Sequence, residues 1–424
     1  MIHGDEMKTF FKVIFIGLIL VIAGVIGLTT YQFNMYKPQT VTKKANPDNL
    51  KYFQESYVDC RKSFLDEANK MKEIYKDVQI SALNIESKKD PDLTIDYCHI
   101  PAQKRFKRLL ILTSAVHGIE GYVGSAVQQM FLKELVKENS LDDLGLLFIH
   151  GINPYGFKYK RRVTENNVDL NRNSSTDNSL FESVNQGYND LNTWLNQKQK
   201  VNLTSFGHFF FQLNAIQKII MYSMGTLRQA ILQGQYQYEK GVYFGGKALE
   251  PSVKAVTPLI QQTAQHYDMV FNIDLHTGYG ANGTMHLFPN PLKDEKKKAR
   301  IENIFSGAHI DWGDSDDFYT ITGDFTTYVG DIIPEKYYLT MLFEFGTLDT
   351  QATMGAIKAL HNVMIENQGV QNGYESQKDE KGVKSRYLES YYPSSEAWRS
   401  KAINDARQTL LQAVKKYQET DVEE

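Results

Sequence analysis

The chain has 424 residues, 42% of them hydrophobic, and its 47 Lys and Arg against 50 Asp and Glu give a net charge of -3. A charge so near zero, with no long basic run, argues against a nucleic-acid-binding protein, which must neutralise many phosphates. The two cysteines, Cys60 and Cys98, are too few for a disulfide scaffold and too far apart for a paired thiolate metal site. A metal site in this chain would therefore have to use His and carboxylate ligands.

The N-terminus carries a membrane signal. Residues 13–28 are uncharged, and the apolar run that begins at Phe10 is about long enough to span a bilayer. Lys8 and Lys12 lie at its N-terminal side, as in secretory signals. We expect residues 1–30 to be an uncleaved signal anchor that places the rest of the chain outside the cytoplasm. A signal peptide cleaved after Gly27 is the alternative.

A polar segment, residues 31–50, follows and contains two prolines, so we expect it to be a linker. Residues 51–424 are then predicted to form one domain. In its first part, between Tyr57 and about Tyr75, apolar residues recur every three or four positions. This spacing predicts a helix that packs on the domain.

Strands that alternate with helices are predicted for the rest of the domain. Buried strands are expected at residues 109–116, 144–151, 268–275 and 338–345, with helical spacing between and after them. Such alternation predicts an α/β fold, with a mostly parallel, mixed sheet covered by helices on both faces.

Polar residues stand where these strands end. His117 and Glu120 follow the first strand, Asp274 and His276 end the third, and Glu344 lies near the end of the last. Functional groups gather at the carboxyl ends of parallel strands. Two His and one Glu are the ligands of a hydrolytic zinc site with a fourth position open for water, and a further carboxylate, here Glu344, is the base that it needs. Asp274 is placed to orient the imidazole of His276.

The loop at 158–173 adds positive charge and amide donors to the same edge of the sheet. It contains Arg162, Asn171 and Arg172. A guanidinium suits a substrate carboxylate or a developing oxyanion.

Together these motifs resemble the zinc carboxypeptidase superfamily, and the HGxEG form and the GQY stretch are similar to a bacterial branch known as a domain of unknown function. In order, the motifs are HGIE (117–120), NPYG (153–156), RVTENNVDLNRN (162–173), DLHTG (274–278), YTITG (319–323) and EFGTLDT (344–350). The resemblance implies one Zn²⁺ held by His117, Glu120 and His276, with Glu344 as the general base. It also implies roles for Arg162 in stabilising the oxyanion, for Asn171 and Arg172 in holding the substrate carboxylate, and for Tyr319 in closing over the substrate.

The predicted activity is zinc-dependent hydrolysis of an amide bond next to a free carboxylate, in a peptide. The alternative is an N-acyl amino acid deacylase, similar to aspartoacylase or a desuccinylase, which uses the same ligands and base. Gly346 stands where digestive carboxypeptidases carry an arginine two residues after the base, so the side-chain specificity does not follow from the resemblance. A binding protein that has lost the chemistry is disfavoured because the ligands and the base are all present.

Two charged stretches have no predicted role in the chemistry. Residues 293–300 are expected to be the solvated face of a helix, and residues 374–386 a polar surface loop.

Overall fold

The computed structural model describes residues 4–39, 41–312 and 321–420, with side chains from Met7 onward. Within these ranges, seven strands form one sheet in the order β1-β2-β4-β3-β5-β7-β6. The strands are β1 (Gln79–Asn84), β2 (Thr94–Ile100), β3 (Arg108–Ser114), β4 (Leu144–His150), β5 (Met269–Thr277), β6 (Met285–Phe288) and β7 (Tyr337–Phe345).

The sheet is parallel at its centre and antiparallel towards both edges. Strands β4, β3, β5 and β7 pair in parallel, whereas β1, β2 and β6 join them through antiparallel pairs. The predicted α/β fold with a mixed sheet is confirmed. Each of the four predicted strands is present, with ends displaced by no more than a few residues.

Helices cover both faces of the sheet. In chain order they are α1 (Gly4–Asn34), α2 (Pro47–Leu50), α3 (Tyr57–Met71), α4 (Gly121–Met130), α5 (Pro154–Tyr159), α6 (Gln186–Leu195), α7 (Phe206–Phe209), α8 (Phe211–Tyr222), α9 (Met224–Leu232), α10 (Pro251–Ala264), α11 (Glu295–Ile304), α12 (Phe325–Asp331), α13 (Thr353–Asn372), α14 (Gln377–Glu389) and α15 (Glu396–Gln418).

The central strands are apolar on both sides because both sides are buried. In β3, Leu110 and Leu112 pack into a core shared with α3, α4 and α15, while Leu109 and Ile111 pack into a second core with α10 and α12. Side chains alternate across a strand, so one continuous apolar run supplies both cores. A third core lies between α6, α8, α9 and α13.

The prediction of a surface loop at residues 374–386 is wrong, because most of this segment belongs to α14. The segment is rich in charge, but Val383 and Tyr387 stand four residues apart and are buried against the domain. Ser376 caps the helix by accepting a hydrogen bond from the backbone N–H of Asp379 at 3.2 Å. A single buried pair in a charged segment was too weak a pattern to predict a helix.

The N-terminal helix projects from the domain. Met7–Asn34 is long and apolar enough to cross a membrane, and both a membrane anchor and a signal sequence have this character. Its last turn is docked on the domain, because Phe33 and Thr30 are buried and the Gln212 amide donates to the Thr30 hydroxyl at 2.6 Å. In the expected linker, the hydroxyl of Tyr36 donates to the carbonyl of Leu348 at 2.8 Å.

Candidate metal centre

The register of the central strands brings the first site residues together. Strands β5 and β7 run in parallel, with His276 directly opposite Glu344. Paired residues of neighbouring strands project from the same face of a sheet, and residues two apart on one strand do the same. The side chains of Asp274, His276 and Glu344 therefore lie on one face at one end of the sheet.

A tight turn after β3 adds His117 and Glu120. The chain leaves the strand through Ala115, which has a φ of 60°, and enters a short 3₁₀ helix, Gly118–Glu120. The backbone N–H of Gly118 donates to the carbonyl of Arg162 at 3.1 Å, which fixes the turn to the arginine-bearing loop. A Cβ at Gly118 would lie 2.2 Å from the carbonyl carbon of Gly156, so only glycine allows this close packing.

His117, Glu120 and His276 form a buried cluster whose ligand atoms all lie within 4.8 Å of one another. The Nδ1 atom of His117 is 2.9 Å from Oε1 of Glu120, and Nδ1 of His276 is 2.9 Å from Oε2 of the same carboxylate. The two Nδ1 atoms are 3.2 Å apart. The predicted ligand set thus converges on one point.

The outer nitrogens of both imidazoles face carboxylates. Nε2 of His276 lies 2.6 Å from Oδ2 of Asp274, and Nε2 of His117 lies 3.1 Å from Oδ1 of Asp169. A carboxylate accepts a hydrogen bond, so the proton of each neutral imidazole belongs on Nε2. Each Nδ1 lone pair then points inwards beside the Glu120 carboxylate, and this set of donor atoms fits a divalent metal ion.

The electrostatics of the cluster also favour positive charge. Burial raises the pKa of the Glu120 carboxyl, but the imidazoles of His117 and His276 outweigh it and hold that pKa well below its usual range. For His276, burial lowers the pKa, yet Asp274 and Glu120 raise it well above the ordinary value.

Glu344 lies beside the ligand set and has a different environment. Its Oε1 accepts a hydrogen bond from the backbone N–H of Tyr279 at 2.8 Å. Burial and the negative charge of Glu120 raise the pKa of Glu344 to about 8. A carboxyl with so high a pKa can accept and release a proton close to neutral pH.

Arg162 reaches the cluster from the loop. Its Nε lies 3.0 Å from Oδ2 of Asp169, and its Nη1 lies 3.3 Å from Oε1 of Glu120. Burial lowers the pKa of Arg162, but Asp169, Tyr391 and Glu120 raise it well above the usual value, so the guanidinium stays charged. The arginine thus presents a fixed positive charge at the edge of the metal centre.

Asn171 and Arg172 line the same cavity, but several of their polar atoms form hydrogen bonds with the main chain of the cavity wall. Oδ1 of Asn171 accepts from the backbone N–H of Phe325 at 2.9 Å. Arg172 donates from Nε to the carbonyl of Leu232 at 2.9 Å and from Nη1 to the carbonyl of Asn171 at 3.1 Å. A guanidinium has five N–H donors, so these contacts leave further donors for a ligand. Tyr319 lies outside the described residues.

Two site residues were missed by the sequence analysis. Asp169 stands two residues before Asn171 in the same motif, so its place there was a usable signal for a partner of His117. Tyr391 lines the cavity near Arg162, and burial raises its pKa strongly. It comes from the segment after α14, where no sequence pattern pointed to the site. Arg161, the neighbour of Arg162, instead forms a buried ion pair with Glu366 at 2.8 Å.

The cluster of His117, Glu120 and His276 opens into a cavity of about 530 Å³. This cluster, Arg162, Asn171 and Arg172 form what we call the polar end of the cavity. The other end, which we call the apolar end, is walled by side chains from α6, α8, α9 and α13. They include Trp194, Ala215, Ile219, Leu227, Ile231 and Leu360.

Comparison with solved structures gives distant similarities. Bovine thrombin-activatable fibrinolysis inhibitor, in complex with tick carboxypeptidase inhibitor, is 12% identical over 75% of this chain and 96% of its own, with a TM-score of 0.42. A metallo-carboxypeptidase from Burkholderia cenocepacia is 14% identical over 76% of this chain and 70% of its own, with a TM-score of 0.36. A succinylglutamate desuccinylase from Silicibacter is 15% identical over 68% of this chain and 66% of its own, with a TM-score of 0.33.

Carboxypeptidases are therefore among the solved structures similar to this chain, as the motif resemblance predicted. A search of curated proteins finds no match. A family model described as a protein of unknown function, DUF2817, matches residues 53–405, which is most of the chain. The chain belongs to the DUF2817 family, in agreement with the predicted bacterial branch known only as a domain of unknown function.

Proposed function

We propose that the protein is a zinc-dependent hydrolase of carboxypeptidase type, which cleaves an amide bond next to a free carboxylate. The observation that carries this proposal is the convergence of two imidazole lone pairs and the Glu120 carboxylate beside Glu344. A single Zn²⁺ held by His117, Glu120 and His276 would polarise the amide carbonyl and make water acidic enough to lose a proton near neutral pH.

The remaining steps belong to side chains of this chain. Glu344 takes the proton of the attacking water and returns it to the leaving nitrogen, a role supported by its buried position next to the ligands. Arg162 presents its guanidinium to the oxyanion that develops on the carbonyl oxygen. Asp169 and Asp274 keep both imidazoles in the orientation and tautomer that direct Nδ1 inwards.

Asn171 and Arg172 are proposed to hold the substrate carboxylate at the polar end of the cavity. Their main-chain hydrogen bonds fix the two side chains in place, so the donors that remain are already oriented when a substrate binds. Tyr319 is proposed to close over the bound substrate.

We also propose that residues 1–30 remain as a membrane anchor, that residues 31–50 connect it to the catalytic domain, and that this domain, residues 51–424, lies outside the cytoplasm. The length and apolar composition of Met7–Asn34 support the anchor.

The second candidate is an N-acyl amino acid deacylase that uses the same ligands and base. The observation that favours it is the cavity of about 530 Å³, which is larger than one amino-acid side chain and has a wall of apolar residues from α6, α8, α9 and α13. Both candidates require a free carboxylate next to the scissile amide, so they differ in the group on the acyl side.

The test is hydrolysis of a mixed panel of peptides with free C-termini and N-acyl amino acids by the purified full-length protein. Glu344→Gln is expected to abolish turnover, while Glu335→Gln, on an exposed side chain, serves as the matched control. Loss of single C-terminal residues would identify a carboxypeptidase, and release of the acyl group alone a deacylase. Turnover by Glu344→Gln at the wild-type rate would refute the mechanism.

A further inference from the structure

The apolar end of the cavity lies next to the docked membrane helix. Helix α8 supplies Ala215 and Ile219 to the cavity wall. The same helix contacts the end of α1 through the hydrogen bond from the Gln212 amide to the Thr30 hydroxyl at 2.6 Å, and the preceding helix α7 adds a weaker one, in which Asn34 donates to the carbonyl of Phe209 at 3.5 Å. One short helix therefore separates the cavity from the proposed membrane anchor.

The far end of α8 is suited to a membrane surface. Ile220, Met221 and Tyr222 are 80%, 58% and 38% exposed, so three consecutive apolar side chains face solvent at this tip. Lys218 lies 5.9 Å above the ring of Tyr222, and such a pair of a basic and an aromatic residue is typical of a membrane–water interface. Ile219 and Met224, which line the cavity, flank this exposed tip. Apolar side chains therefore continue from this exposed tip to the wall of the cavity that contains the candidate metal ligands.

We propose that the substrate is an N-acyl amino acid with a long hydrocarbon chain, taken up from the membrane. The inference rests on the proposed hydrolase function and specifies its substrate class. The carboxylate of the amino acid lies at the polar end, and the hydrocarbon chain fills the apolar end. A methylene group takes about the volume of a water molecule, ~30 Å³, so the cavity accepts the amino-acid head and a chain of roughly twelve carbons.

One charged residue in the apolar end does not conflict with this substrate. The guanidinium of Arg228 is 3.4 Å from the carbonyl oxygens of Thr350 and Gln351. Its charged group is thus directed at the main chain, and its side-chain methylenes can face the hydrocarbon.

The reaction is hydrolysis and needs no reactant besides water. Water adds to the acyl carbon, the C–N bond breaks, and the amino-acid nitrogen takes up a proton. The products are a fatty acid and a free amino acid, so a fatty acid returns to the membrane.

The first experiment measures kcat/KM of the full-length protein in phospholipid nanodiscs against L-alanine acylated with acetyl, butanoyl, octanoyl or dodecanoyl chains. With kcat/KM referred to the concentration of substrate free in water, burial of each added methylene is expected to raise it about fourfold until the apolar end is filled. Ala215→Phe, which narrows this end, should lower the ratio of dodecanoyl to acetyl kcat/KM at least tenfold. A flat or falling dependence on chain length in the wild type would overturn the inference.

The second experiment reads binding without turnover. The chain has three tryptophans, of which Trp194 lines the cavity. In Glu344→Gln protein, N-dodecanoyl alanine brominated in mid-chain should quench tryptophan fluorescence, and Trp194→Phe should remove the quenching. Quenching without hydrolysis of any amide by the wild type would refute the hydrolase proposal but support the binding of a chain. Hydrolysis with no quenching and no dependence on chain length would refute the inference and leave the hydrolase proposal standing.

Discussion

Replacing Asp274 with Asn is expected to weaken zinc binding about 10- to 100-fold. The Asp274 carboxylate accepts a hydrogen bond from Nε2 of His276 at 2.6 Å, and both side chains are almost completely buried. Asn is nearly the same size and can still accept a hydrogen bond, but it carries no charge. The change therefore removes the charge-assisted part of the bond, about 1.5–3 kcal/mol, which corresponds to the expected loss in affinity.

Zinc affinity would be measured by competition with a chromophoric chelator, together with the Tm of the metal-free protein to detect unfolding. Asp142→Asn is the matched control, because this carboxylate is half exposed and pairs with Lys104 at the surface. Asp169→Asn should also weaken zinc binding, but by less, since its contact to His117 is longer at 3.1 Å. A folded Asp274→Asn protein that binds zinc as tightly as the wild type would refute the assigned role of the outer carboxylates.

Two further predictions concern stability. Glu366→Gln should lower the free energy of unfolding, measured by urea titration, by about 3 kcal/mol, because it leaves Arg161 buried without its ionic partner. The control Glu380→Gln breaks an exposed pair with Lys384 and should lower it by less than about 0.5 kcal/mol. Equal losses in the two variants would contradict a stabilising role for the buried ion pair. Burial lowers the pKa of His150 to about 4. Below pH ~6.5 the unfolded chain therefore binds a proton at His150 that the folded chain does not bind. The free energy of unfolding should fall by up to about 3 kcal/mol between pH 6.5 and 4 as a result. His150→Gln should reduce this pH dependence by about one proton, and an unchanged dependence would show that the folded protein protonates His150 readily.

The sequence was sufficient to predict the fold class and the residues His117, Glu120 and His276 that converge in one buried cluster. The uniform apolar runs of the central strands predicted burial on both faces, and the rule that functional groups gather at strand ends pointed to His117, His276 and Glu344. The sequence did not predict that β5 and β7 are neighbours in the sheet, and so it did not predict the register that places His276 opposite Glu344.

Features formed by distant segments were not predictable. Tyr391 reaches the cavity because α14 returns the chain to the carboxyl end of the sheet, and nothing near Tyr391 in the sequence marks that contact. The apolar end of the cavity depends on how α8 and α9 pack against α13, whose apolar residues look like ordinary core positions. In such cases the function of a residue depends on a cavity between helices that are distant in sequence. The spacing of apolar residues along the chain does not predict such a cavity.

The central claim is that His117, Glu120 and His276 hold one metal ion beside Glu344. The most direct test is the zinc content, by elemental analysis, of the wild type and of the Glu344→Gln, His117→Ala and His276→Ala variants after dialysis against a weak chelator. We expect about one zinc per chain in the wild type and in Glu344→Gln, and almost none in the two His variants. Stoichiometric zinc in folded His117→Ala and His276→Ala protein, or none in the wild type, would contradict the proposed metal centre.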